Sequence, residues 1–170
     1  MNATIKNSPL PAVVEQITHN TTSWIGHRPG ADRDIISGQT FIAPSEGDLE
    51  TIEVFPSFIT DPGKVVLTLH SFDPLQKSWG PVLSSASINL DRDDTDKWIT
   101  FKITGLHLDE GKTYGFRLES PDAFIGFGEA AGSHQQPPFN SGQEWQFTNS
   151  DKRGLSFSYF SLAFKVGLRT

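Results

Sequence analysis

Apolar and polar side chains alternate along most of this chain with a period of two, and no stretch sustains a period of 3.6. The clearest case is WITFKIT, where Ile99, Phe101 and Ile103 fall on one face and Trp98, Thr100 and Lys102 on the other. Successive side chains of an extended strand point to opposite faces, so the pattern describes ribbons with one dry and one wet side. KVVLTLHSF repeats it with Val65, Leu67 and Leu69, TYGFRLES with Tyr114, Phe116 and Leu118, and DLETIEVF with Ile52 and Val54. GQTFIAP turns Phe41 inward, VLSSASINL turns in Val82, Ala86, Ile88 and Leu90, and VVEQITH sets Val13, Glu15 and Ile17 on one face. AFIGFG, EWQF and SYFSLAFKV complete a set of about ten strands.

Between the runs stand Asp61-Pro-Gly, Gly80-Pro, Asp109-Glu-Gly and Ser120-Pro-Asp, each a turn signal through the fixed φ of proline or the positive φ open to glycine. Closely spaced strands without intervening helices predict an all-β chain, a two-sheet antiparallel sandwich of jelly-roll type. With 170 residues and neither a repeat nor a linker, the chain reads as one sandwich domain over 1–170.

The net charge is −6 and the 14 basic residues are scattered. Phosphate backbones are bound by clustered Lys and Arg, so no nucleic-acid partner is expected, nor an anionic membrane surface. No apolar run approaches the roughly 20 residues that cross a bilayer, so no membrane insertion is expected. The absence of cysteine excludes thiol chemistry and Cys-ligated zinc. The opening MNATIKNSPLPAVVEQ has no basic region followed by an apolar one, so no signal peptide is visible in it.

GQTFIAPSEGDLETIEVF, GKVVLTLHSFDPLQKSWGPVLSSASINL, the turn-strand unit LDEGKTYGFRL and the closing SLAFKV together resemble bacterial jelly-roll modules of the carbohydrate-binding or lectin-like kind. The resemblance runs from Gly38 onward. It implies the sandwich fold, a glycan or polysaccharide partner and an extracellular or cell-surface setting, and it assigns no site residue.

Site residues follow from chemistry instead. A sugar offers flat C–H patches flanked by hydroxyls, which call for an aromatic plate beside planar hydrogen-bonding groups. Two long polar insertions supply them: SWIGHRPGADRD with Trp24, His27 and Arg28, and SHQQPPFNSGQEW with His134, Gln136 and Asn140. Trp79, in the turn QKSWGP, is the third plate. Long loops among short turns are functional sites or covers. Two half-covered indoles and a few hydrogen bonds, less the association cost, suit affinities of about millimolar to micromolar. Trp145 alternates with Phe147 and reads as core, and Arg117 and Glu119 read as a surface ion pair or solvated charges.

Enzyme signatures are absent. The histidines are spread with no H-x-H or H-E-x-x-H pair, no G-x-S-x-G elbow exists, and no inward-facing carboxylate pair stands out. No cofactor is expected beyond structural calcium, whose six to eight oxygen ligands Asp91, Asp93, Asp94 and Asp96 of DRDDTD would begin to supply. The same run also suits a solvated turn. The expectation is a non-catalytic glycan-binding module. Its competitor is a structural or assembly domain self-associating through outer-face aromatics such as Trp98, with a polysaccharide hydrolase or lyase third.

Overall fold

The computed structural model of the chain describes residues 12–28, 30 and 32–170. The opening residues 1–11, read above for a leader pattern, lie outside them, as do Pro29 and Ala31 of the first polar insertion. Among the described residues there is no α-helix, only a 3-10 turn at Arg92–Asp94. Among the same residues no helix is long and apolar enough to cross a membrane.

In chain order the strands are β1 (Ala12–Gln16), β2 (Thr21–His27), β3 (Asp34–Ile42), β4 (Gly47–Val54), β5 (Pro56–Asp61), β6 (Gly63–Asp73), β7 (Ser78–Leu90) and β8 (Ile99–Lys102). They continue as β9 (His107–Leu108), β10 (Thr113–Glu119), β11 (Phe124–Ala131), β12 (Glu144–Thr148), β13 (Leu155–Phe157), β14 (Phe160–Leu162) and β15 (Phe164–Arg169). Pairing is antiparallel throughout. A small sheet runs β1-β15-β4-β8, with β9 also on β4. A large sheet runs β14-β11-β2-β3-β10-β6-β7, with β5 along β11 and the β12–β13 hairpin alongside β3.

The two sheets form the sandwich that the alternation predicts. Val65, Leu67, Leu69, Phe116 and Leu118 of the large sheet meet Ile52, Val54, Phe101 and Val166 of the small one, all fully buried. Phe164 stands among Phe41, Phe116 and Phe139 at ring separations of 6.2, 5.6 and 5.3 Å. Each fully buried ring contributes about 2–3 kcal/mol relative to an exposed one.

In β1 Val14 and Gln16 face inward, and the face that carries Glu15 and Ile17 is the exposed one, with Ile17 49% exposed. This edge strand has a bulge against β15 between Ala12 and Val14. Gly80-Pro81, read as a breaker, lies inside β7. The strand is at the sheet edge, where a missing N–H costs no ladder bond, and irregular register opposite His70 leaves Val82 exposed.

The long connection 132–143 is pinned at both ends. The Gly132 N–H donates to the Tyr159 carbonyl at 2.8 Å, and Thr40 and Gln143 exchange backbone and hydroxyl bonds of 2.9 Å. Phe139 reaches from its middle into the core beside Phe164.

Candidate functional site

The alternation that fills the interior also dictates what the large sheet shows on its outer side. There β10 presents Gly115, Arg117 and Glu119, β3 presents Gly38 and Thr40, and β12 presents Trp145 and Phe147. Gly115 and Gly38 leave bare backbone, and the Trp79 indole, reaching in from β7, lies upon it. A Cβ on Gly115 would stand 2.5 Å from Trp79 Cζ3, and one on Gly38 would stand 3.1 Å from Cη2. Around the indole are His70, Phe72, Trp145 and Phe147 at 5.4, 5.5, 5.9 and 5.5 Å, each nearly perpendicular to it. Such edge-to-face pairs are worth about 0.5–1.5 kcal/mol beyond their buried area. Trp145 is indeed buried, but in this second, outer cluster and not between the sheets.

Arg117 is half-buried within the same cluster. Its guanidinium carbon lies 4.6 Å from the Trp79 ring centre and 4.1 Å from that of Phe147. The surface ion pair read from the sequence is not formed: among the described residues no carboxylate lies within ion-pair distance of Arg117. Burial lowers its pKa and the charge of Glu119 opposes that, but a guanidinium stays protonated throughout the physiological range. Its Nε and the indole N–H groups of Trp79 and Trp145 have no hydrogen-bond partner. His70 anchors the floor. Its Nδ1 faces the Gly80 carbonyl at 3.0 Å and its Nε2 the Thr68 hydroxyl at 2.8 Å, the pattern of a neutral ring that donates at the first and accepts at the second. Burial, helped by the Arg117 charge, lowers its pKa.

Two turns wall this face. In the β6–β7 turn the Asp73 carboxylate accepts from the N–H groups of Leu75 and Gln76 at 2.9 and 3.2 Å. In the β12–β13 turn Asp151 accepts from Gly154 at 3.2 Å. Gly154 has φ +82°, and a Cβ there would meet the Phe147 ring at 2.4 Å, so only glycine closes this turn without strain. Between the turns lies a cleft of about 480 Å³ lined by Lys77, Trp79, Arg117, Lys152 and Arg153. It shares Arg117 and Lys152 with a second cleft of about 490 Å³ that reaches Phe147 and Asn149. The second shares Ile35 and Asn149 with a third of about 710 Å³ that ends at Arg28 and Asp32. A smaller hollow of about 230 Å³, lined by Asn140, adjoins at Lys77.

Of the residues expected from the sequence, Arg28, Trp79 and Asn140 therefore lie along one line of clefts. The others do not line these clefts, although Asp34, the partner of His27, lines the second. Trp24 stacks with Phe124 and Phe58 at 4.8 and 5.8 Å. His27 is paired with Asp34 at 2.8 Å. His134 bonds the Ser158 hydroxyl at 2.9 Å and meets the edge of Tyr159. The Gln136 N–H closes a turn onto Ser133 Oγ at 3.0 Å. Trp98 carries the Lys165 ammonium over its ring at 4.3 Å, so a residue of this same chain meets its face. In the acidic run, Asp91 and Asp94 cap the 3-10 turn reciprocally, accepting from the N–H groups of Asp93 and Asp91 at 2.9 Å each. Among the described residues no three His, Asp or Glu side chains converge as metal ligands.

An inward-facing carboxyl pair does exist, contrary to the reading above. Glu144 is fully buried and Glu129 is 5% exposed, within a polar layer between the sheets that includes Ser23, Ser37, Gln39 and Ser161. Ser23 and Ser37 share a 2.6 Å bond, and Thr21 Oγ1 donates to Glu129 at 2.7 Å. Burial, and then the neighbouring Glu129 carboxylate, push the Glu144 carboxyl up to about 11, with Ser23 opposing. Neither Glu144 oxygen completes a hydrogen bond of good geometry. Neither carboxyl lines any of the clefts described, so the pair is a feature of the interior. The residues that sequence reasoning missed are Arg117, Lys152 and Arg153 in the groove. The signal for Arg117 was its place between Gly115 and Glu119 on a strand whose alternate residues are core.

Compared with known protein families the chain matches none, and compared with curated proteins it also matches none.

Proposed function

We propose that this protein is a non-catalytic carbohydrate-binding module whose site is the outer face of the large sheet. One observation carries the reading: the Arg117 guanidinium, seated in the corner between the perpendicular Trp79 and Phe147 rings with no carboxylate at ion-pair distance among the described residues, forms the shared wall of two adjoining clefts. A planar fork held by packing is a preorganised donor to vicinal hydroxyl or carboxyl oxygens, which lowers the ordering cost of binding. The cleft volumes, about 480 and 490 Å³, fall in the range of small-ligand sites, and the open succession suits a chain-like ligand. The ligand-contacting set is then Arg117, Lys152 and Asn149, with Trp79 as wall and Arg28 and Asn140 at the two ends. An extracellular or cell-surface setting accompanies the reading.

The test is retention on an array of immobilised glycans, with Arg117→Lys as the diagnostic variant. Lysine keeps the charge but loses the flat fork, so binding is expected to weaken by about tenfold while the fold persists. Silence of the folded protein across the array would refute the proposal, as would an Arg117→Lys variant that binds unchanged.

A further inference from the structure

Resting on the glycan-binding reading, we infer that the cleft between the two turns takes an oxyanion carried on the glycan, a carboxylate or a sulfate ester. The chain as a whole carries −6, yet this cleft is lined by Lys77, Arg117, Lys152 and Arg153 with the neutral Gln76, Ser78 and Trp79, and no acidic residue lines it. The carboxylates of the two flanking turns, Asp73 and Asp151, are engaged by backbone N–H groups of their own turns. Among the described residues none of the four cations forms an ion pair. A surface that gathers unpaired cations while its net charge is negative holds them against their mutual repulsion. An anion placed among them removes that repulsion and gains charge-assisted hydrogen bonds.

The backbone that carries the lysines and Arg153 is fixed by its turns. Lys77 sits at φ +51° at the end of a turn fixed by Asp73, and Lys152 and Arg153 sit between Asp151 and Gly154 of the other. The ligand class is narrowed by what the rings are doing. Trp79 and Phe147 already face the guanidinium, so no free aromatic face is offered for a nucleobase to stack upon. Charge and hydrogen bonding, not stacking, dominate the cleft. The negative remainder of the surface repels a polyanion only weakly beyond the roughly 8 Å Debye length of physiological salt.

The experiment compares polymers that share one backbone: dextran, carboxymethyl-dextran and dextran sulfate, with poly(dT) as a non-glycan polyanion, against the full chain. Retardation in affinity gels is expected for one or both charged dextrans and absent for neutral dextran. Raising salt from about 0.05 to about 0.5 M should abolish it. The double substitution Lys152→Ser/Arg153→Ser, on exposed positions of the turn, should weaken it by about tenfold or more with an unchanged melting temperature. The carboxymethyl and sulfate arms tell the two oxyanions apart. Silence on both charged dextrans, or indifference to the double substitution, overturns the inference. Array binding of neutral glycans that is lost in Arg117→Lys would then leave the broader reading standing. Equal or tighter binding of poly(dT) overturns both.

Discussion

Glu144→Gln is expected to raise the stability of this protein above pH 7 and to lower it near pH 4, where the protonated carboxyl carries no linkage cost but the amide still lacks full hydrogen bonding. The buried carboxyl titrates at about 11 in the folded chain against 4.5 for a free side chain. Between those values the folded state holds a proton that the unfolded state has released, so unfolding free energy falls as pH rises across the window. The contribution is fully present below the unfolded value and is lost as pH climbs toward the folded one. At about 1.4 kcal/mol per pH unit, the cost at pH 7 approaches roughly 3 kcal/mol. Glutamine presents the same shape without a proton to hold. Its amide must also find partners among Ser23, Gln39 and Glu129, so a net gain of about 1–2 kcal/mol at pH 8 is expected. For a chain of this size that is a rise in Tm of about 3–6 °C. Thermal unfolding of the two proteins across pH 4–9 decides the matter. Curves separated by a constant amount at every pH would mean that Glu144 holds no extra proton in the folded state.

Gly115→Val should dismantle the outer cluster without touching the core between the sheets. Its Cβ alone would intrude to 2.5 and 2.6 Å on Trp79 Cζ3 and Cη2, and the indole is closed in by His70, Phe72, Trp145 and Phe147. A rigid, packed ring cannot yield by a few tenths of an ångström, so it must leave. The expected loss is about 1–3 kcal/mol, with red-shifted tryptophan emission and exposure of the Arg117 face. Trp79→Ala removes the obstacle, and in that background Gly115→Val should cost little. The double-mutant cycle therefore reads the contact directly. Additive losses would show that valine at position 115 acts through something other than the indole.

Both predictions concern places where strand alternation was legible but its meaning was not. The period-two runs through Phe101, Leu67 and Phe116 identify the interior because one face of each strand is apolar and the other is not. In EWQF the same rule misleads. Trp145 and Phe147 are buried, yet on the outer side, so Glu144 is carried into the interior opposite Gln39. FGEAAG held a usable hint, since Glu129 is in phase with the buried Phe127. Its partner in the layer was invisible because Glu129 and Glu144 lie on different strands of a split sheet.

The candidate site was legible only in pieces. Loop length and composition singled out Arg28, Trp79 and Asn140, which do lie along the groove, but equally Trp24, His27, His134 and Gln136, which line none of the clefts described. Lys152 and Arg153 looked like two of many scattered charges.

What the sequence determined by itself was the class of fold: alternation sets which side of each ribbon is dry, and glycine and proline set where ribbons end. Only the tertiary structure decided that the Trp79 indole would lie on Gly115 and Gly38, that Arg117 would sit in the corner of two perpendicular rings, and that cations from three distant segments would share one cleft. Alternation is a property of neighbours along the chain and is written locally. A groove is made by strand order and register, which bring residues 77, 117 and 152 together through the free energy of the whole sandwich, and no local pattern records that.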